Sequence, residues 1–302
     1  MHPIRASEAL RSCSESAARV SFGDDIIDDA LGGGIGTNMV TEISGEAGAG
    51  KTQVCLKLAL QAQLPIERGG LGSTSKVFYL SCLEGEFPAK RLEDLATVLE
   101  RKLRMEDVVG EDGRQYTAKS FLDNVITHMC PNTDDLIEVL SSHVPDMMAK
   151  DNIRLVIIDS VAGVVRPEFH VGVSNAEKGS NEAKLRKHVL FEVHRAAQKV
   201  ARRSGVALVV VNQVTSLMDS WGGPLPGDET QQWANGTVFT MRDGGLLPGN
   251  GNKIQPALGI TWSHLVNERL LLIRDTQNIR GLKCDISSSE DKYGVPRDHA
   301  TG

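Results

Sequence analysis

The chain has 302 residues, with 33 Lys and Arg against 39 Asp and Glu, a formal net charge of -6 at pH 7 and 40% hydrophobic residues. That length suits one large α/β domain or two small ones, and a charged share of 24% excludes a chain disordered throughout. The acidic balance excludes nucleic-acid binding through overall positive charge, so any such contact needs a local basic patch.

Residues 1–20 read as a short helix or arm, since alanine and leucine are mixed there with many serines. No apolar block of signal-peptide length follows Met1, and no run approaches the roughly 18 apolar residues that span a bilayer. From residue 40 onward short apolar runs alternate with helical patterns, and the predicted strands are 40–43, 77–83, 125–129, 153–158, 206–211 and 270–273. The runs Leu155-Val156-Ile157-Ile158 and Val206-Ala207-Leu208-Val209-Val210-Val211 are continuous rather than alternating, as in parallel strands covered on both faces. Helical periodicity over 53–62 and 183–203 completes a βαβ rhythm. The fold class is therefore α/β, with a mostly parallel, doubly wound sheet flanked by helices. Two polar, glycine-bearing stretches, 167–180 and 219–251, break that rhythm and are expected to be functional or disordered loops. Cys13, Cys55, Cys82, Cys130 and Cys284 are odd in number and far apart, so neither a disulfide nor a zinc framework is expected and a reducing compartment is the default. Cys55 and Cys82 read as small core residues.

The sharpest signal is Gly45-Glu46-Ala47-Gly48-Ala49-Gly50-Lys51-Thr52, which fits G-x-x-x-x-G-K-[ST]. A predicted strand runs into it and a predicted helix leaves it, which is the context a phosphate cradle needs. Glycines let backbone N–H groups turn inward around phosphate oxygens, and the helix N-terminus adds partial positive charge. The ammonium of Lys51 then reaches the β- and γ-phosphates of ATP, and the hydroxyl of Thr52 is a ligand for Mg²⁺.

A second carboxylate for the metal is expected at Asp159, directly after the run 155–158, because doubly wound sheets collect ligands at the carboxyl ends of their strands. Asp151 and Asp275 follow no such run directly. Glu84, at the end of the run 77–83, is the candidate that orients or deprotonates water, with Glu86 as competitor. Asn212 and Gln213 end the run 206–211, where an amide can sense the γ-phosphate or simply begin a turn.

Taken together, residues 45–53, the Leu-Pro-Ile-Glu-Arg-Gly-Gly stretch at 64–70, Glu84-Gly85, 155–160 and Val210-Val211-Asn212-Gln213-Val214 resemble the RecA-type recombinase family. Phe87-Pro88-Ala89-Lys90-Arg91-Leu92 and the short N-terminal region resemble its eukaryotic recombinase paralogues. The resemblance implies an arm or linker at 1–20, a RecA-like P-loop NTPase core at 21–275 and a divergent polar tail, open to disorder, at 276–302. It assigns phosphate and Mg²⁺ contacts to Lys51 and Thr52, the second metal carboxylate to Asp159, water activation to Glu84 and γ-phosphate sensing to Gln213. Gln53 joins the nucleotide-binding set, and Arg91 matches an arginine that stacks on adenine.

The resemblance further implies slow, DNA-stimulated ATP hydrolysis in homologous recombination. The expected partners are single-stranded and branched DNA, other recombinase paralogues and the main recombinase, in a nuclear and also cytoplasmic hetero-oligomer. Its two DNA loops would fall near 166–181 and 214–251, giving Arg166, Lys178, Arg242 and Lys253 as DNA contacts and Trp221, Trp233 and Phe239 as stacking faces. Between them Lys184, Arg186, Lys187, Arg195, Lys199, Arg202 and Arg203 form a basic face opposite a buried face of Leu185, Val189, Val193, Ala196, Ala197 and Val200. The family's N-terminal helical DNA-binding domain, its Phe-x-x-Ala docking segment and the proline that caps a neighbour's ATP have no expected counterpart here. Two other readings stay open: a nucleotide-stabilised, non-hydrolysing interaction subunit, and a ring-forming RecA-like motor.

Overall fold

The computed structural model describes Arg5 and residues 18–82, 86–110, 113, 115–168, 176–203, 205–216, 247–249, 252–258, 262, 264–273 and 281–285. Through the first half these form β1 (Arg19–Val20), α1 (Asp25–Ala30), β2 (Ile35–Gly36), β3 (Val40–Gly45), α2 (Lys51–Gln61), β4 (Lys76–Ser81), α3 (Ala89–Met105), α4 (Ala118–Asp123) and β5 (Val125–Met129). Then follow α5 (Thr133–Glu138), a π-helical turn (Val139–His143) running into α6 (Val144–Lys150), β6 (Ile153–Asp159), α7 (Val161–Glu168) and α8 (Ala176–Ala201). The last strands are β7 (Ala207–Ser216), β8 (Leu247–Gly249), β9 (Asn252–Pro256), β10 (Glu268–Ile273) and β11 (Gly281–Asp285).

The main sheet has the order β11-β10-β3-β7-β6-β4-β5. From β10 to β5 every neighbouring pair is parallel, so each connection must cross over, and helices are its natural carriers. Side chains alternate between two cores. Ile43, Val77, Tyr79, Leu155, Ile157, Val209 and Val211 pack on one face with Cys55, Leu56 and Ala59 of α2 and Leu92 and Ala96 of α3. Phe78, Leu80, Val156, Ile158, Leu208 and Val210 pack on the other with Leu136 and Val139, and with Val193, Ala197 and Val200 of α8. Covering on both faces is why the β6 and β7 runs lack polar alternation. Both strands end on polar residues, which marks the sheet edge.

The structure departs from expectation in four places. Both ends of the first expected loop are helical, since α7 includes Pro167 and Glu168 and α8 begins at Ala176. Residues 214–216, expected in the second DNA loop, instead extend β7, which pairs with β9, and residues 247–249 of the same expected loop form β8, also paired with β9. Part of the segment 276–302, expected as a polar tail, adds β11 antiparallel to β10, so the sheet extends beyond residue 275. Leu185 is not on the buried face of α8 but 56% exposed, and Val189 is half-buried, because this end of the helix is not covered as Val193, Ala197 and Val200 are.

Candidate nucleotide-binding site

The carboxyl ends of β3, β7, β6 and β4 meet at one edge of the sheet. Gln213 of β7 stands beside Gly45 of β3 in the ladder, and Ser81 of β4 stands beside Asp159 of β6. The loop 45–50 leaves this edge and turns into α2. Gly45 must be glycine for packing: a Cβ there would lie 2.5 Å from the carbonyl oxygen of Leu272 in the neighbouring β10. Gly48 and Gly50 must be glycine for backbone conformation, with φ of 76° and 96°. No side chain caps the first turn of α2, and no atom lies within 4 Å of where a Gly50 Cβ would stand. The loop thus leaves open backbone N–H groups and a positive helix end, which fits a phosphate chain.

Lys51 is the first residue of α2, and its Nζ donates to the carbonyl oxygens of Gly45 (2.8 Å) and Glu46 (2.7 Å). The loop holds this ammonium across its own mouth with main-chain acceptors that a phosphate oxygen can replace. Burial lowers the pKa of Lys51 below the usual lysine value, partly countered by attraction to Asp159. Thr52 Oγ1 donates to Asp159 Oδ2 at 2.7 Å, and the hydroxyl of Tyr79, at the middle of β4, donates to the same oxygen at 2.7 Å. A threonine hydroxyl and a buried carboxylate in direct contact are the hard oxygen donors that suit Mg²⁺, so the residues present fit that ion. Tyr79 is buried, and burial pushes its pKa far upward, so it stays a donor.

Glu46 and Ala49 are half-buried, and Ala47 and Gly48 are exposed along the loop. Gln53, exposed on the first turn of α2, accepts from Nε of Arg91 at 2.6 Å, so α3 brings the expected adenine-stacking arginine to the P-loop helix. Glu84 lies outside the described residues, while Glu86 is exposed. Of the expected DNA contacts, Arg166 falls in α7, Lys178 in α8 and Lys253 in β9, with only their backbone described. Arg242, Trp221, Trp233 and Phe239 lie outside the described residues.

Two features were not expected. One is Tyr79, which was inside a predicted strand without a sign that its hydroxyl reaches Asp159. The other is a buried polar chain behind the P-loop. Arg269 of β10 meets Oε2 of Glu42 of β3 at 2.8 Å through Nη2, and Nδ2 of Asn212 donates to Oε1 of the same glutamate at 2.9 Å. Glu42 and Arg269 are both buried, so neither charge of the pair has water to fall back on. The only sequence sign was a glutamate in an apolar strand.

A glycine loop, lysine and hydroxyl at the carboxyl edge of a doubly wound parallel sheet define a P-loop nucleotide-binding protein of the RecA-like class. The family model described as Rad51 matches residues 14–241, and the chain belongs to that family. Among its relatives, the DNA repair protein XRCC3 homolog of Arabidopsis thaliana is 30% identical over 278 residues, covering 91% of this chain and 82% of that protein. The DNA repair protein rhp57 of Schizosaccharomyces pombe is 28% identical over 92% of this chain and 74% of its own length. The DNA repair and recombination protein RadA of Metallosphaera sedula is 32% identical over 73% of this chain and 60% of its own length. The chain thus resembles XRCC3-type members of the RecA family, in line with the paralogue resemblance of residues 87–92 and the short N-terminal region. Among the described residues no helix is long and apolar enough to cross a membrane.

Proposed function

We propose that this protein is an ATP-binding recombinase paralogue that acts in DNA repair by homologous recombination, as a nuclear subunit of a complex with other recombinases. The observation that carries the reading is the meeting of Lys51, Thr52 and Asp159 at the sheet edge of a Rad51-family chain. Lys51 leaves the Gly45 and Glu46 carbonyls for the β- and γ-phosphates of ATP. Backbone N–H groups of 48–52 hold the remaining phosphate oxygens. Thr52 and Asp159 would hold Mg²⁺, which when bound neutralises charge developing on the transferred phosphoryl group. Tyr79 fixes the Asp159 carboxylate through its hydroxyl. Glu84 is the residue proposed to orient the attacking water, and Arg91 the one proposed to cover adenine. Gln213 shares a ladder position with Gly45, so a change at the phosphates has a short route into β7 and the segment that follows it. That segment, with Arg166, Lys178, Arg242 and Lys253, is proposed to contact single-stranded DNA.

The test is ATP turnover by the purified chain, alone and with recombinase partners, with and without single-stranded DNA. DNA-stimulated turnover that falls at least a hundredfold in Lys51→Ala supports the reading. Mg-ATP binding and nucleotide-dependent partner capture without turnover would instead make the chain a nucleotide-stabilised interaction subunit. Absence of Mg-ATP binding, alone or in complex, sinks both.

A further inference from the structure

Away from the nucleotide loop, where β5 ends, three potential metal ligands converge on the face of the sheet covered by α5. His128 and Cys130 are two residues apart on β5 and just beyond it, hence on the same face of the strand. Cys130 is buried in the core formed with Leu136, Val139 and Leu140. Asp135 comes from the first turn of α5, whose start is fixed by Asn132: its side-chain oxygen accepts from the Asp135 backbone N–H at 2.8 Å. His128, Cys130 and Asp135 each offer one ligand atom, and these three atoms lie within 4.8 Å of one another. Cys82, the next residue beyond the last β4–β5 register pair, Ser81 with Met129, is buried in the same core as Cys130.

Two of these groups lack a hydrogen-bond partner. His128 Nε2 and Asp135 Oδ2 stand 3.4 Å apart, both atoms are buried, and neither makes a hydrogen bond. Buried polar atoms are costly to leave unpaired, and a shared ligand would satisfy both at once. Their separation matches the edge of a tetrahedron around zinc, about 3.3 Å for bonds of about 2.0–2.1 Å to nitrogen and oxygen. A sulfur–nitrogen edge around the same ion is about 3.5 Å, so closure from the present spacing needs only side-chain movement of about 1 Å.

We propose that His128, Cys130 and Asp135 form a binding site for a borderline-soft divalent cation of the zinc class. A thiolate, an imidazole and a carboxylate select such an ion over Mg²⁺ or Ca²⁺, which take oxygen donors. Three protein ligands leave the fourth position of a tetrahedron to water, and the His128 and Asp135 side chains, 35% and 30% exposed, open that position to solvent. The bound ion would clamp the first turn of α5 to the end of β5.

Chain freed of metal is titrated with Co²⁺, without nucleotide, and then with Zn²⁺. The expected result is one Co²⁺ per chain, with the ligand-field bands of a tetrahedral site and sulfur-to-cobalt charge transfer, displaced by Zn²⁺. His128→Gln and Asp135→Asn should each weaken uptake at least tenfold, and Cys130→Ser should remove most of the charge-transfer band. Cys55→Ser and Lys51→Ala should leave uptake unchanged, the second separating this site from the nucleotide site. Zn²⁺ should raise the melting temperature of the parent chain and not that of His128→Gln. No uptake at micromolar metal, or uptake that survives both His128→Gln and Asp135→Asn, overturns the assignment.

Discussion

Asp159 Oδ2 receives two hydroxyls, from Thr52 and from Tyr79, and they differ in what their loss should do. Thr52 is half-buried at the start of α2 and faces the position a metal would take, whereas Tyr79 is sealed under Phe87, with ring centroids 4.9 Å apart at 70°. Thr52→Val keeps the size of the side chain and removes its only oxygen. It should lower the affinity for Mg-ATP about tenfold or more while leaving metal-free ATP binding within about twofold, since one charge-assisted contact accounts for roughly 1.5–3 kcal/mol. Calorimetry with and without Mg²⁺ separates the two. An equal loss in both titrations would mean that the hydroxyl shapes the loop and does not serve the metal.

At the scale of elements, the pieces legible in the sequence were those whose signal is local. The β6 and β7 runs were readable because both faces are covered, and the P-loop because its spacing reflects one phosphate chain. Features built by distant contact were not. Glu42 and Arg269 are 227 residues apart in sequence, and the pairing of β7 with β9 joins Val214 to Pro256 across the unread stretch. The cluster around Cys130 was not read either, because His128-x-Cys130 is too short a signal without the fold that brings Asp135 of α5 beside it. Helix α8 shows another such contact. His194 on its inner face is 5% exposed, its Nδ1 has no hydrogen-bond partner, and its ring meets Trp262 edge-on at 6.2 Å. Burial, with the charge of Arg202 second, lowers its pKa below the ordinary 6.5. The unfolded chain therefore takes up this proton at higher pH than the folded chain. Stability from the neutral imidazole is fully present above about 6.5 and is lost as pH falls from there toward the lowered value. The urea midpoint should drop between pH 7 and 5.5, and His194→Gln should flatten that part of the profile. A drop of the same size in the variant would assign it to carboxylates elsewhere.

For the whole molecule, the DNA contact proposed above would require a chain of net charge -6 to approach a polyanion. Local arrangement must oppose the global sign, and the described cations are not equally available. Arg195 is held by Glu192 at 2.6 Å, Arg186 donates to the Ala257 carbonyl at 2.8 Å, and Lys76 is paired with Asp151 at 2.5 Å. Lys184, Lys187 and Lys199 on α8 are exposed, as are Arg202 and Arg203 just beyond it. Exposed Leu185 and Phe191 lie on the same helix, so its outer surface offers cations beside apolar faces, the pairing that suits single-stranded nucleic acid. If this surface contacts a single strand, each lost phosphate contact lowers the slope of log K against log salt by about 0.7. Lys184→Glu with Lys187→Glu should therefore flatten the slope by about 1.4 and weaken binding most at low salt, whereas Lys76→Glu should leave the slope as it is. Binding would be followed by fluorescence anisotropy of a labelled single strand, across a salt series and with Mg-ATP present. An unaltered slope in the double variant moves the contact off α8, leaving the segment after β7 to carry the strand.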